Sequence, residues 1–76
     1  MPLKAEQIEA KIIEFLPGAE VKAEDLTGGG DHWRVRVRAS QFADLSMVKQ
    51  HQAIYAALGA WMKSDIHALA IDAGTP

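Results

Sequence analysis

Cysteine is absent from this chain of 76 residues. Its absence excludes disulfide frameworks, thiolate nucleophiles, zinc ribbons and a self-contained iron–sulfur site, because each of these needs sulfur from the chain. Only histidine, carboxylate or backbone groups remain to bind a metal. A chain this short buries only ~60% of its extended-chain surface, so we expect one domain over residues 1–76 and no deep enzymatic cleft.

Long apolar runs, an excess of positive charge and catalytic motifs are also missing. We expect neither a secretory signal nor a membrane span, and predict a cytoplasmic protein. The chain has eight Lys and Arg residues and ten Asp and Glu residues, which give a net charge of −2. Only a local basic patch could therefore contact nucleic acid or anionic lipid. No Ser/His/Asp set, HExxH pattern or phosphate loop occurs, and the glycine run 28–30 reads as a hairpin tip. We therefore predict that the protein is not an enzyme.

The apolar periodicity predicts two helices and three strands. Helical spacing predicts an amphipathic helix from Lys4 to Leu16, which Pro17-Gly18 ends. Alternation predicts strands at 19–24 and 33–39 that pair as an antiparallel hairpin. The predicted register places Ala23 opposite Val35, Val21 opposite Val37, Glu24 opposite Arg34 and Glu20 opposite Arg38.

The second half of the chain predicts a turn, a long helix and a last strand. Residues 40–44 form the turn, capped by Ser40, and the helix runs from Ser46 to Lys63. Its Gly59 indicates close packing against a neighbour. The predicted buried stripe of this helix consists of Met47, Val48, Ile54, Tyr55, Leu58, Trp61 and Met62. After a break at 64–65, residues 66–71 read as a strand that is apolar on both faces and lies inside the sheet.

This order, α-β-β-(short α)-α-β, predicts an α/β (α+β) domain. A helical crossover between the second and last strands makes them parallel, so the sheet has three strands and is mixed, with both long helices on one face.

The side chains that could carry chemistry have ordinary structural interpretations as well. His51 lies beside the apolar stripe, which favours a packed, hydrogen-bonded residue over a ligand. His32 opens the second strand on its charged side, and His67 begins the last strand with Leu69 and Ile71 on its face. Arg34, Arg36 and Arg38 could form an oligonucleotide platform, but the glutamates predicted opposite them favour a solvated, charge-paired face.

Several segments together resemble the BolA family over almost the whole chain, from the first helix to Pro76. Two patterns are the most specific. The spacing V-x-x-H-x-x-[VI]-[YN]-x-x-L is met by Val48, His51, Ile54, Tyr55 and Leu58, and [VI]-H-A-L is met by residues 66–69. Residues 31–35, 40–42 and 75–76 also match, and the short glycine hairpin resembles the compact branch of the family.

The resemblance implies a class II KH-like fold of α-β-β-α-α-β order and two activities. The first is partnership with a monothiol glutaredoxin around a shared [2Fe–2S] cluster, with thiolates from glutaredoxin cysteine and glutathione and histidine from the BolA-like side. The family's ligand in the [VI]-H-A-L strand falls on His67. The second ligand, in the hairpin loop, has no direct match because Gly29 stands where some members have cysteine. The nearest imidazole is His32, which we take as the substitute, with Asp31 as a further candidate.

The alternative activity is DNA binding as a transcriptional regulator, through Lys49, His51 and Lys63. Many members carry Arg-His-Arg where this chain has Gln50, His51 and Gln52, and the GxxG backbone clamp of nucleic-acid-binding KH domains is absent. With so few positive charges, the salt-dependent part of DNA affinity should be small, and DNA binding ranks second. The free chain is expected to be a monomer or a weak homodimer.

Overall fold

The computed structural model describes residues 3–76 as one α+β domain. Its elements are α1 (Ala5–Phe15), β1 (Glu20–Asp25), β2 (His32–Arg38), a 3-10 turn (Ser40–Phe42), α2 (Met47–Leu58), α3 (Trp61–Ser64) and β3 (Ala68–Gly74). This order confirms the α-β-β-α-α-β arrangement. Within residues 3–76, no helix combines the length and the apolar character that crossing a bilayer requires.

The sheet has the strand order β1-β2-β3 and the predicted directions. Strand β2 pairs antiparallel with β1 in the predicted register, with Ala23 opposite Val35 and Glu24 opposite Arg34. It pairs in parallel with β3, where Val35 lies opposite Ile71. The prediction that β3 lies inside the sheet is wrong, because β2 is central and β3 is an edge strand. The exposed positions of β3 include alanines. Alanine is small enough to be tolerated on an exposed face, but in the sequence it counts as apolar, and this made the strand look buried on both faces.

The core lies between one face of the sheet and the helices. Helix α1 packs on β1, and α2 packs on α1 and β3, so the helices cover a single face as predicted. Among the described residues, the largest fully buried side chains are Trp33, Phe42, Ile8, Ile12, Ile54, Leu58, Val35 and Val37. The arginines of β2 alternate with its buried residues and point to the opposite face.

Helix α2 buries a narrower stripe than the sequence predicted. Its buried residues are Ile54, Ala57 and Leu58, whereas Met47, Val48 and Tyr55 are 60%, 65% and 43% exposed. At about 100° per residue, Val48 and Tyr55 lie roughly a quarter turn or more around the helix from Ile54. They therefore flank the packed face instead of belonging to it.

The predicted long helix is two helices, because the chain turns sharply at Gly59. Helix α2 ends at Leu58, and Gly59 has φ 57° and ψ −128° before the four-residue α3. A Cβ at Gly59 would lie 3.8 Å from the nearest atom, the Ala56 carbonyl oxygen, so close packing does not explain the glycine. The start of α2 is capped by Ser46, which accepts a hydrogen bond from the Lys49 amide at 3.3 Å. The predicted cap by Ser40 is wrong, since no side chain caps the 3-10 turn.

Replacing Gly59 with alanine is expected to lower the free energy of unfolding by ~1–3 kcal/mol, because this backbone conformation strains any residue with a Cβ. The measurement is urea denaturation followed by circular dichroism. The matched control is Gly74→Ala, where a Cβ meets only ordinary contacts of 3.7 Å or more and φ is not positive. Equal midpoints for the two variants would contradict the assignment of the helix break to backbone conformation at Gly59.

Candidate metal centre

His32 and His67 lie side by side at one end of the sheet. Their ring centroids are 5.6 Å apart and the ring planes differ by 29°. His32 is the first residue of β2, and His67 comes immediately before β3. Because β2 and β3 are parallel, the starts of both strands lie at the same end of the sheet, which brings the two histidines together.

The position of His67 differs from the sequence prediction. It lies in a bend outside β3, and its amide donates a hydrogen bond to the Asp31 carbonyl oxygen at 2.7 Å. The alternation of the strand therefore does not apply to it. Its exposed ring stacks on His32 and does not join Leu69 and Ile71 on the core side.

The carboxylate of Asp31 holds the ring of His32. His32 Nδ1 lies 2.9 Å from Asp31 Oδ1, and the two side chains are 39% and 46% exposed. The pKa of the Asp31 carboxyl is lowered, chiefly by the hydrogen bond from His32; desolvation opposes this shift, and the nearby His32 and His67 rings add to it. An ionised carboxylate can only accept, so Nδ1 carries the proton and Nε2 of the neutral ring keeps a free electron pair.

The hairpin loop that precedes Asp31 is fixed by two residues, Asp25 and Trp33, whose hydrogen bonds to the loop the sequence did not predict. The Asp25 carboxylate accepts hydrogen bonds from the amides of Gly28 at 3.0 Å and Gly30 at 2.9 Å. The buried Trp33 indole Nε1 donates to the Gly30 carbonyl oxygen at 3.0 Å. An aspartate just before a glycine run is the sequence signal of such a turn. The glycine run is thus an ordered turn as well as a hairpin tip.

The donor set that this chain contributes is small. Among the described residues, no group of three or more histidine, aspartate or glutamate side chains could enclose a metal ion. The pair of His32 and His67 offers two imidazole nitrogens, and any further ligands would have to come from another molecule. That these histidines bind a cluster remains a prediction.

The three predicted nucleic-acid contacts are not brought together on one helix. Lys49 and His51 lie on α2, whereas Lys63 lies on α3 beyond the break at Gly59. Both lysines are exposed and His51 is half-buried. The described part of the chain provides no hydrogen bond to the His51 ring, so the expectation of a hydrogen-bonded histidine is not met.

The arginines of β2 are paired with carboxylates, as the sequence predicted for a solvated face. Arg34 lies 3.3 Å from Glu24. Arg36 and Arg38 lie 3.9 Å and 3.0 Å from Asp72 on β3, so the partner of Arg38 is Asp72 and not the predicted Glu20. The parallel register places Arg36 opposite Asp72, which puts this carboxylate on the arginine face. These ion pairs among the described residues favour a charge-paired face over an oligonucleotide platform.

The sequence and the fold can be compared with those of known proteins. The model of the family described as BolA-like protein matches residues 7–76. Protein RP812 of Rickettsia prowazekii is 30% identical over 71 residues, which are 93% of this chain and 92% of that protein.

A further relative and a solved structure are also similar to this chain. BolA-like protein 1 of Pongo abelii is 45% identical over 49 residues, but the match covers 64% of this chain and 36% of that longer protein. The solved BolA domain of SufE1 from Arabidopsis thaliana has a TM-score of 0.86 and 32% identity, and the match covers 100% of this chain and 95% of that chain. The matched family model and these similarities show that the chain belongs to the BolA family.

Proposed function

We propose that this protein is an adaptor that pairs with a monothiol glutaredoxin to hold a shared [2Fe–2S] cluster, in iron–sulfur cluster trafficking or iron regulation. His67 is the principal ligand from this chain, and His32 is the second. The observation that carries the proposal is the close approach of these two rings, 5.6 Å between centroids, at the end of the sheet.

The residues present suit such a cluster as contributors to a shared site. Two imidazoles can replace two thiolates on one iron of a [2Fe–2S] centre. With metal–nitrogen bonds of ~2 Å, two imidazoles on one metal have ring centroids roughly 5–6 Å apart, and the observed separation is compatible with this. In the neutral ring of His32, the contact with Asp31 favours the proton on Nδ1, which leaves Nε2 free to bind a metal.

The histidine pair is open to a partner. His32 is 39% exposed, and His67 is exposed in the bend before β3. Since the chain has no cysteine, the thiolates of the shared site would come from the cysteine of the glutaredoxin and from glutathione. A cluster held by mixed histidine and thiolate ligands has a higher reduction potential than an all-thiolate cluster.

The test is to mix the purified protein with a monothiol glutaredoxin loaded with a [2Fe–2S] cluster and glutathione, and to record visible circular dichroism. The spectrum is expected to change from that of the glutaredoxin alone, and to saturate as the protein is added. A spectrum that stays that of the glutaredoxin at every ratio would contradict the proposal. The same protein, titrated onto duplex DNA at several salt concentrations, is expected to show little salt-dependent binding. A steep loss of affinity with salt would favour DNA binding instead.

A further inference from the structure

Asp31 contacts both histidines through hydrogen bonds. Its side-chain Oδ1 lies 2.9 Å from His32 Nδ1. Its backbone carbonyl oxygen accepts from the His67 amide at 2.7 Å, and from the Ala68 amide at 3.3 Å. The side chain thus acts on one ring, while the main chain fixes the bend that carries the other.

We infer that Asp31 is a positioning residue for the metal centre, which fixes the tautomer and the orientation of His32 and sets its distance from His67. The inference rests on the proposed function. It assigns Asp31 a role other than that of a ligand: because its Oδ1 is engaged with His32 Nδ1, Nε2 of His32 would be the atom that binds a metal. Metal-binding histidines commonly donate their second ring N–H to such a carboxylate.

The loop around Asp31 holds this residue in place. Gly30, its neighbour, is tied to the core through Trp33 Nε1 at 3.0 Å and to the Asp25 carboxylate at 2.9 Å. Trp33 is only 1% exposed. Asp31, whose carboxylate orients His32, therefore directly follows a residue that is hydrogen-bonded to the hydrophobic core.

The first experiment measures the tautomer of His32 in the free protein by long-range proton–nitrogen NMR of the imidazole rings. The wild-type ring is expected to carry its proton on Nδ1. In Asp31→Ala, which keeps the backbone bond to His67 but loses the acceptor, the proton is expected to move mainly to Nε2. Asp31→Asn keeps a neutral acceptor and should be intermediate. A matched control is Glu24→Gln, which removes one charge from an exposed side chain of the same hairpin.

The second experiment measures how long the cluster survives in the mixture with the glutaredoxin, together with the electron paramagnetic resonance of the reduced cluster. Loss of a hydrogen-bond partner of a metal-binding histidine typically costs 10–100-fold in metal affinity, so Asp31→Ala is expected to shorten the lifetime by roughly ten-fold or more and to shift the resonance. Asp31→Asn should recover part of the loss, and Glu24→Gln should match the wild type.

The outcomes separate this inference from the proposed function. If the wild-type protein changes the glutaredoxin spectrum and Asp31→Ala and Asp31→Asn do so with unchanged lifetime and resonance, only the role of Asp31 is overturned. An Nδ1–H tautomer that persists in Asp31→Ala overturns it as well. If the wild-type protein produces no change at all, the proposed function fails, and the role of Asp31 at a metal fails with it.

Discussion

Truncation of Trp33 to alanine is expected to lower the free energy of unfolding by ~3–5 kcal/mol. The side chain is 1% exposed and lies on the central strand of the sheet. Truncation would remove its apolar contacts and leave the Gly30 carbonyl without the indole donor at 3.0 Å. Domains have free energies of unfolding of only about 5–15 kcal/mol, so this single change could remove a large part of that free energy.

Thermal unfolding provides the measurement. For a domain of this size, the expected loss corresponds to a Tm lower by about 12 °C or more. The matched control is Trp61→Ala, because Trp61 is only half-buried and one side of its ring lies under Lys11 Nζ at 5.8 Å from the centroid. The sequence predicts that both tryptophans are at least partly buried, which the structure confirms, and of the two it buries only Trp33 fully. Equal losses of Tm in the two variants would contradict this distinction.

A second variant, Trp33→Phe, separates packing from the hydrogen bond. Phenylalanine keeps most of the apolar contact but cannot donate to Gly30. We expect a smaller loss of stability than in Trp33→Ala, since the remaining cost is mainly an unsatisfied carbonyl, at ~1–3 kcal/mol. Gly30 precedes Asp31, so the variant also reports how strongly the core supports the loop next to the histidine pair.

The sequence predicts best where neighbouring residues decide the structure. The register of β1 and β2 follows from the alternation and from pairs such as Glu24 and Arg34, and the structure confirms it. The parallel direction of β3 relative to β2 also follows from the sequence. A helical segment connects the two strands, and such a crossover joins parallel strands, whereas a short hairpin joins antiparallel ones. These features depend on local pattern and on chain connectivity.

The sequence predictions are wrong mainly where packing between distant elements, or the conformation of a single backbone position, determines the structure. One alanine-rich segment reads as a central strand, although Ala70 lies on the exposed face of the edge strand β3. The prediction of one long helix through Gly59 was wrong because the spacing of apolar residues does not reveal a positive φ, here 57° at Gly59. The extent of the buried stripe on α2 is set by which neighbours it meets, and so the exposure of Val48 and Tyr55 could not be inferred from spacing.

The candidate site was predicted in its residues but not in its geometry. The resemblance to the BolA family pointed to His67, and the nearness of His32 to the hairpin loop suggested the second ligand. The contact between the rings depends on the bend at His67, and strand alternation would have placed that side chain on the core face. The hydrogen bond from the His67 amide to the Asp31 carbonyl oxygen fixes this bend, and it joins residues 36 positions apart.

Replacement of His67 with alanine is expected to abolish the spectral change that the wild-type protein causes in a cluster-loaded monothiol glutaredoxin. The variant removes one of the two nitrogen donors of this chain, and the single imidazole of His32 that remains cannot complete the pair on one iron. His67 is exposed and outside the core, so the free energy of unfolding should stay within about 0.5 kcal/mol of the wild type. His32→Ala is expected to weaken the spectral change in the same direction.

The matched control is His51→Ala, which removes an imidazole from α2 and leaves the pair of His32 and His67 intact. It should reproduce the wild-type visible circular dichroism. Substitution of His67 with cysteine restores a donor of a different kind, because a thiolate also binds iron but lowers the reduction potential relative to imidazole. This variant should regain cluster binding with an altered resonance of the reduced state. If His67→Ala and His51→Ala give the same spectrum as the wild type, the cluster is bound without His67 and the ligand assignment is wrong.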